Sequence, residues 1–241
     1  MLSVEALRLV TMEVLRPHAA VVAKAGFPTV AGPRVYDSQE IPLQAIDPDR
    51  QYTPVIGLYS GDASSTPRGE ASDFTDSDHR AVLDIVVELA IRAADDNGEF
   101  ADAMAANDPQ ARLVLSALCS KIRFLLQRSA KGVLWRKLVK RVVSCEAMPF
   151  AIPDLGLRFQ RVTLRYTVEL RDDCYDLDSG GLPEPLRSVA ASLPAGSYAK
   201  EKLAELAGYF LAETPDALEE IAGAVKLPGA EQIEAGWTAG T

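Results

Sequence analysis

Apolar residues recur at helical spacing near the start of the chain, where Leu7, Val10, Val14 and Val21 share one face over residues 3–24. Ser3 is placed to cap this helix and Glu5 sits in its positively polarised first turn. Pro17 removes a backbone donor and collides with the turn before it, so a kink or two short helices is predicted there, closed by Gly26 and Pro28. The period then changes. Arg34, Val35 and Tyr36, followed by residues 52–59, are rich in β-formers and bounded by Pro, Gly and Asp, which predicts a hairpin with a long connection. Pro54 assigns the second run to a sheet edge or a bulge. Residues 61–78 hold almost no large apolar side chain and predict a long exposed loop. Residues 81–91 alternate, with Ala81, Leu83, Ile85, Val87, Leu89 and Ile91 on one face; their β-branched density favours a strand over a helix.

The second half is patterned more sharply. Asn107-Asp108-Pro109 is a helix start, with Asp108 as the cap and Pro109 at the first helical position. Leu115, Leu118, Cys119, Ile122, Leu125 and Leu126 continue it as a stripe to about Gln127. After Gly132, Trp135, Leu138, Val139 and Val142 keep helical spacing and pass into a strand near 142–147. Val162, Leu164, Tyr166, Val168 and Leu170 then alternate with Thr163, Arg165, Thr167, Glu169 and Arg171, as in an antiparallel sheet covered on one side. Residues 198–226 predict two short helices broken near Thr214-Pro215, and the last dozen residues, rich in Gly and Ala, are expected to fray.

Composition narrows the class. With 241 residues, 48% hydrophobic and 24% charged, the chain can bury a full core without disulfides or metals. No window of about 18 residues lacks charge, which argues against a membrane span; Glu5 and Arg8 interrupt what would be a signal peptide's apolar region. Cys119, Cys145 and Cys174 are odd in number and widely spaced, as expected of reduced structural thiols. The net charge of −9 argues against wholesale wrapping of nucleic acid.

That charge is unevenly spread. Between Pro109 and Cys145 stand nine basic residues and no acidic one: Arg112, Lys121, Arg123, Arg128, Lys131, Arg136, Lys137, Lys140 and Arg141. The remainder therefore carries −18. Such segregation points to a basic face that meets an acidic partner or another copy of the chain, with a solvated helix pair as the plain alternative and DNA contact a weaker one. Catalytic signatures are few. There is no phosphate-cradling glycine loop and no nucleophile elbow, and His18 reads as a helix-surface residue. Asp73, Asp76, Asp78 and His79 have the donor chemistry for a cation, and equally that of a solvated loop capping the next element. Asp172, Asp173, Asp176 and Asp178 precede Gly180-Gly181, which fits a linker better than a calcium loop.

The order of segments carries a resemblance. An N-terminal helix leads to GPRVYDSQEIP (32–42), YTPVIGLYSGD (52–62) and a polar stretch, then to HRAVLDIVVELAIRA (79–93), PQARLVLSALCSKIRFLL (109–126) and LGLRFQRVTLRYTVEL (155–170). Over residues 1–172 this resembles the tail terminator, or tail-completion, proteins of long-tailed bacteriophages. The resemblance implies an α/β fold of the α+β type, with a mainly antiparallel sheet flanked by helices. Here that domain would be followed by a linker (173–197) and a small helical extension (198–241). It implies a structural, non-enzymatic protein without cofactors, present in the virion neck after assembly in the host cytoplasm. Six copies would form a ring that ends tail-tube growth, binds the tail tube protein and the head connector protein, and lets DNA pass without specific recognition. Arg34, Tyr36, Asp37, Tyr52 and Pro54 are the strand positions expected at subunit contacts, beside the basic face. The alternatives are another neck or head-completion ring protein and a metal-dependent hydrolase built on residues 73–79.

Overall fold

The computed structural model describes residues 2–69, 77–95, 98–152, 157–175 and 180–210. Helices α1 (Leu2–Leu15) and α2 (His18–Ala23) open the chain, broken at Pro17 as expected. Then come β1 (Val35–Asp37), β2 (Thr53–Pro67), β3 (Ser77–Asp95), β4 (Gly98–Ala103), α3 (Pro109–Gln127) and α4 (Val133–Leu138). Strands β5 (Val139–Ile152) and β6 (Leu157–Leu170) and helices α5 (Leu186–Ser192) and α6 (Tyr198–Gly208) complete the order. The six strands form one mixed sheet in the order β1-β2-β3-β6-β5, with β4 also paired to β3, so the fold is α+β. Among the described residues no helix is long and apolar enough to cross a membrane.

The alternation read in β3 and β6 sets the layers. Leu83, Ile85, Val87 and Leu89 lie opposite Tyr166, Leu164, Val162 and the β4 side of the sheet, and face α1 and α3 in one continuous core. Trp135 and Tyr166, both fully buried, meet edge to face at 6.0 Å between ring centres at the middle of that core. The other sheet face carries a ladder of opposite charges. Arg161 pairs with Glu88 directly across the strands, and Arg165 holds Asp84 through two hydrogen bonds of 2.9 and 2.7 Å.

Expectations change in the first half of the sheet, and β5 begins already at Val139, where helical spacing was expected to run on. The hairpin over 34–62 is not one, because β1 and β2 run parallel, Val35 beside Ile56 and Asp37 beside Leu58. The connection between them instead crosses the free sheet face, where Ile46 buries against Tyr36, Val55 and Ala90. Pro54 is tolerated because the amide of Ile56, two residues on, points toward Arg34; the missing proline donor thus faces the same side, before β1 begins. Among its described residues, the loop expected over 61–78 is largely strand. Residues 63–67 pair with 77–81 after a bulge between Ser60 and Ala63, and residues 70–76 lie outside the described set. With exposed side chains along residues 61–67, this stretch of ladder has nothing to bury and so no alternation to read.

The span expected as a linker contains α5. Leu182, Leu186, Val189 and Leu193 are buried in the same core as the sheet, and Ala199 and Leu203 of α6 join them. Asp173 receives the amides of Leu2 (2.6 Å) and Ser3 (3.1 Å), so a carboxylate from beyond β6 satisfies the first donors of α1. The second helix expected near Thr214-Pro215 and the fraying end lie outside the described residues.

A chain ending at residue 172 is expected not to fold cooperatively. Besides Ala199 it loses five large core side chains (Leu182, Leu186, Val189, Leu193, Leu203), each worth roughly 1.5–3 kcal/mol, against a typical whole-domain stability of about 5–15 kcal/mol. Urea unfolding followed by circular dichroism checks this; a sharp transition near that of the full chain would contradict it.

Candidate functional site

Helix α3 is positioned by its own start signal. Asp108 accepts the amide of Gln110 at 2.8 Å and Pro109 fills the first helical position. Its stripe, Ala111, Leu115, Leu118, Ile122, Leu125 and Leu126, is buried against the sheet. At about 100° per residue the opposite arc holds Leu113, Ser116, Ala117, Ser120 and Phe124. Leu113 is 64% and Phe124 49% exposed, large values for such side chains.

Cations border this arc on both sides. Arg112 and Arg123 stand three turns apart on one flank, and Lys121 and Arg128 stand two turns apart on the other. The Lys121 ammonium lies 5.4 Å from the centre of the Phe124 ring. Beside that flank a recess of about 540 Å³ opens between α3 and residues 27–30, walled by Phe27, Pro28, Val30, Val114 and Leu118 with Lys121 at its lip. The surface is therefore an apolar strip between two basic rows. Among the described residues, Arg112, Arg123 and Arg128 have no ion pair or side-chain hydrogen bond.

The other expected cations divide. Lys131 borders a separate apolar groove of about 530 Å³ against α1 and α2. Lys137 and Lys140 are exposed. Arg136 turns inward and donates to the carbonyls of Leu126 (3.0 Å) and Ser129 (2.9 Å), finishing the C-terminal end of α3. The chain must pass close there: a Cβ on Gly132 would sit 2.3 Å from the Leu126 carbonyl oxygen. Arg141 is spent on Glu169 at 3.0 Å. So the nine residues do not converge on one point, and Arg136 serves the fold.

The five strand positions are used inside the subunit and offer little surface. Tyr36 and Pro54 are buried and Tyr52 packs half-buried on the core. Arg34 donates from Nε to the Pro54 carbonyl at 3.1 Å, stapling β1 to β2, and burial pulls its pKa down. Asp37 is the hub of an internal network. The Arg8 guanidinium lies 2.6 Å away, an ion pair by distance although its Nε–H does not point along that line, and the Tyr198 hydroxyl donates to the second carboxylate oxygen at 2.8 Å. Arg8 also reaches Glu5 at 2.7 Å and Ser38 at 2.9 Å, so the network joins α1, β1 and α6.

Of the cation-binding cluster considered over 73–79, Asp73 and Asp76 lie outside the described residues. Asp78 and His79, adjacent on β3, point to opposite faces. Asp78 pairs with Arg68 at 2.9 Å, whose hydrogen bond holds its carboxyl below the usual range, while His79 is buried 3.1 Å from Asp172. No group of three or more His, Cys, Asp or Glu among the described residues is placed to hold a metal. Asp173, from the second acidic cluster, caps α1, and Asp176 and Asp178 are outside the described set. Burial pushes the Cys119 thiol up to about 11, leaving it a protonated core group at neutral pH.

The exposed pair Leu113 and Phe124 was missed by the sequence reading. Their signal was available: both fall outside the stripe of α3 and on the arc between the basic rows. A scan against protein-family models returns no match to the chain, and a search of the curated proteins returns none either.

The network at Asp37 has a pH signature. Burial first, then the hydrogen bond to the Asp37 carboxylate and its charge, push the Tyr198 hydroxyl up from 10.0 to about 12. The folded protein thus holds a proton that the unfolded chain releases, so this stabilisation is full below about pH 10 and is lost as pH rises through about 12. The destabilisation caused by Tyr198→Phe is expected to shrink between pH 8 and pH 12 in urea unfolding; a pH-independent difference would contradict the linkage.

Proposed function

We propose that the chain is a non-enzymatic structural subunit that assembles head to tail into a ring at the head-proximal end of a bacteriophage tail. There it ends tail-tube growth and joins the tube to the head connector. The observation that carries the reading is the outward face of α3, an apolar strip with Leu113 and Phe124 exposed between two rows of Arg and Lys, on a chain whose remainder is strongly acidic. A ring needs two different surfaces on each subunit, so that one copy's patch meets another patch on the next. Segregated charge supplies such a pair, fixing register and excluding face-to-face pairing of like surfaces. The order of segments that resembles tail terminators supports the placement at the tail, and the overall negative charge suits a channel through which DNA slides without sticking. Another neck ring would use the same contact and differ in its partner, binding the portal side rather than the tube end.

Solution mass measured against concentration and salt, with negative-stain imaging, tests this. The expected result is a closed ring that loosens as salt screens the basic rows. The double variant Leu113→Ser with Phe124→Ser is expected to keep the circular dichroism of the parent and to lose self-association by an order of magnitude or more, about 1.4 kcal/mol per tenfold. A chain that stays monomeric at every concentration, with and without added tail-tube protein, would overturn the proposal.

A further inference from the structure

The sheet face turned away from the helices holds a recess of about 490 Å³, between the connection that follows β1 and strand β4. Gly57, Glu88 and Arg161 lie within it, and the exposed Glu40, Tyr59 and Phe100 form its rim. Gly57 gives the recess its depth. The Tyr59 ring lies back over it, so close that a Cβ on Gly57 would meet the ring at 2.9 Å, and the Tyr59 hydroxyl is fixed by donating to the Gln39 carbonyl at 3.2 Å. Arg161 is held on two sides, by Glu88 and by the Phe150 ring 5.3 Å from its guanidinium carbon.

Glu88 is the anomaly of this face. The residue is 1% exposed, and while Oε2 receives Arg161 Nε, its buried Oε1 has no hydrogen-bond partner. A buried acceptor left unsatisfied is costly, more so on a charged group, and such atoms in folded proteins generally have a partner. The surrounding charge says which kind of partner fits. Two carboxylates, Glu40 and Glu88, face one guanidinium, leaving an excess negative charge. Both carboxylates lie near enough to the Tyr59 hydroxyl to help burial push its pKa up. The aromatic faces of Tyr59 and Phe100 stand at the mouth, where a cation gains from the ring quadrupole.

We propose that this recess binds an organic cation, an ammonium or guanidinium group that donates to Glu88 Oε1 and is flanked by Glu40 and the rings of Tyr59 and Phe100. The group comes either from a free small amine or guanidine, or from a Lys or Arg side chain of a second copy of the chain. The inference is independent of the ring reading, since it concerns the opposite layer from α3.

Agmatine is the probe, titrated into the full chain by calorimetry with glutarate as the anionic control. Saturable binding of agmatine and none of glutarate is expected. Glu40→Gln and Phe100→Ala, both at exposed positions and so compatible with folding, are each expected to weaken it several-fold, and Glu88→Gln about tenfold or more through loss of a charge-assisted hydrogen bond. Light scattering during the titration separates the sources. Binding at constant mass identifies a free cation; agmatine-driven dissociation of an oligomer that Glu40→Gln also weakens identifies a basic side chain of a second copy. No saturable binding together with no change in mass, or binding that none of the three variants alters, would overturn the proposal, and neither result bears on the contact at α3.

Discussion

The register of β3 is the constraint on which the other elements depend. It pairs with β2 along one edge and with β6 and then β4 along the other, so its alternation decides both faces of the sheet at once. A slip by one residue would carry Asp84 and Glu88 into the core and turn Leu83 and Ile85 to the opposite side. Hydrophobic burial forbids that slip, and the charged rungs Glu88–Arg161 and Asp84–Arg165 forbid it again from the other face. The helices then have one apolar surface available, and α1, α3 and α5 share it in a single core.

The two layers treat charge in opposite ways. On the sheet, cations sit across from anions on neighbouring strands, and most of Arg161, Arg165 and Arg141 is spent on internal pairs. On α3 no acid stands within the helix or in the segment that follows it, so no such pairing is built in locally. The arginines there stay hydrated beside an apolar strip that a solitary subunit gains nothing by exposing. The recess over Glu88 is the reverse case, an anion with one oxygen left over beside paired rungs.

Legibility in the sequence followed how local each determinant is. Asp108-Pro109 set the start of α3, the alternation of 162–170 announced β6, and Pro17 broke the first helix, because each acts within a few residues. The direction of β1 against β2 was not readable, since two short β-rich runs look alike whether they pair parallel or antiparallel. Strand residues 63–67 were hidden because ladder hydrogen bonds hold them and no apolar side chain is buried there. Helix α5, at seven residues, is too short for a period to emerge. Among the site residues, the basic segment was visible as composition, but the inward turn of Arg136 was not, nor was the commitment of Asp37 to Arg8 and Tyr198, which are far apart in the chain. Glu88 was visible only as a polar position on an alternating strand; its missing partner is a property of register and burial.

The clasp between Asp173 and the start of α1 spans 171 positions of sequence, and Tyr198 reaches back to Asp37 across 161. Of the described elements α1 comes earliest in the chain, and part of what secures it comes from among the latest. Its apolar flank, with Leu7, Val10 and Leu15 all fully covered in the finished subunit, has neither its end-cap nor its neighbour α6 until nearly the whole described chain has been synthesised. Contacts of such long separation put the closing of this core late in folding and slow it relative to a fold built on local contacts.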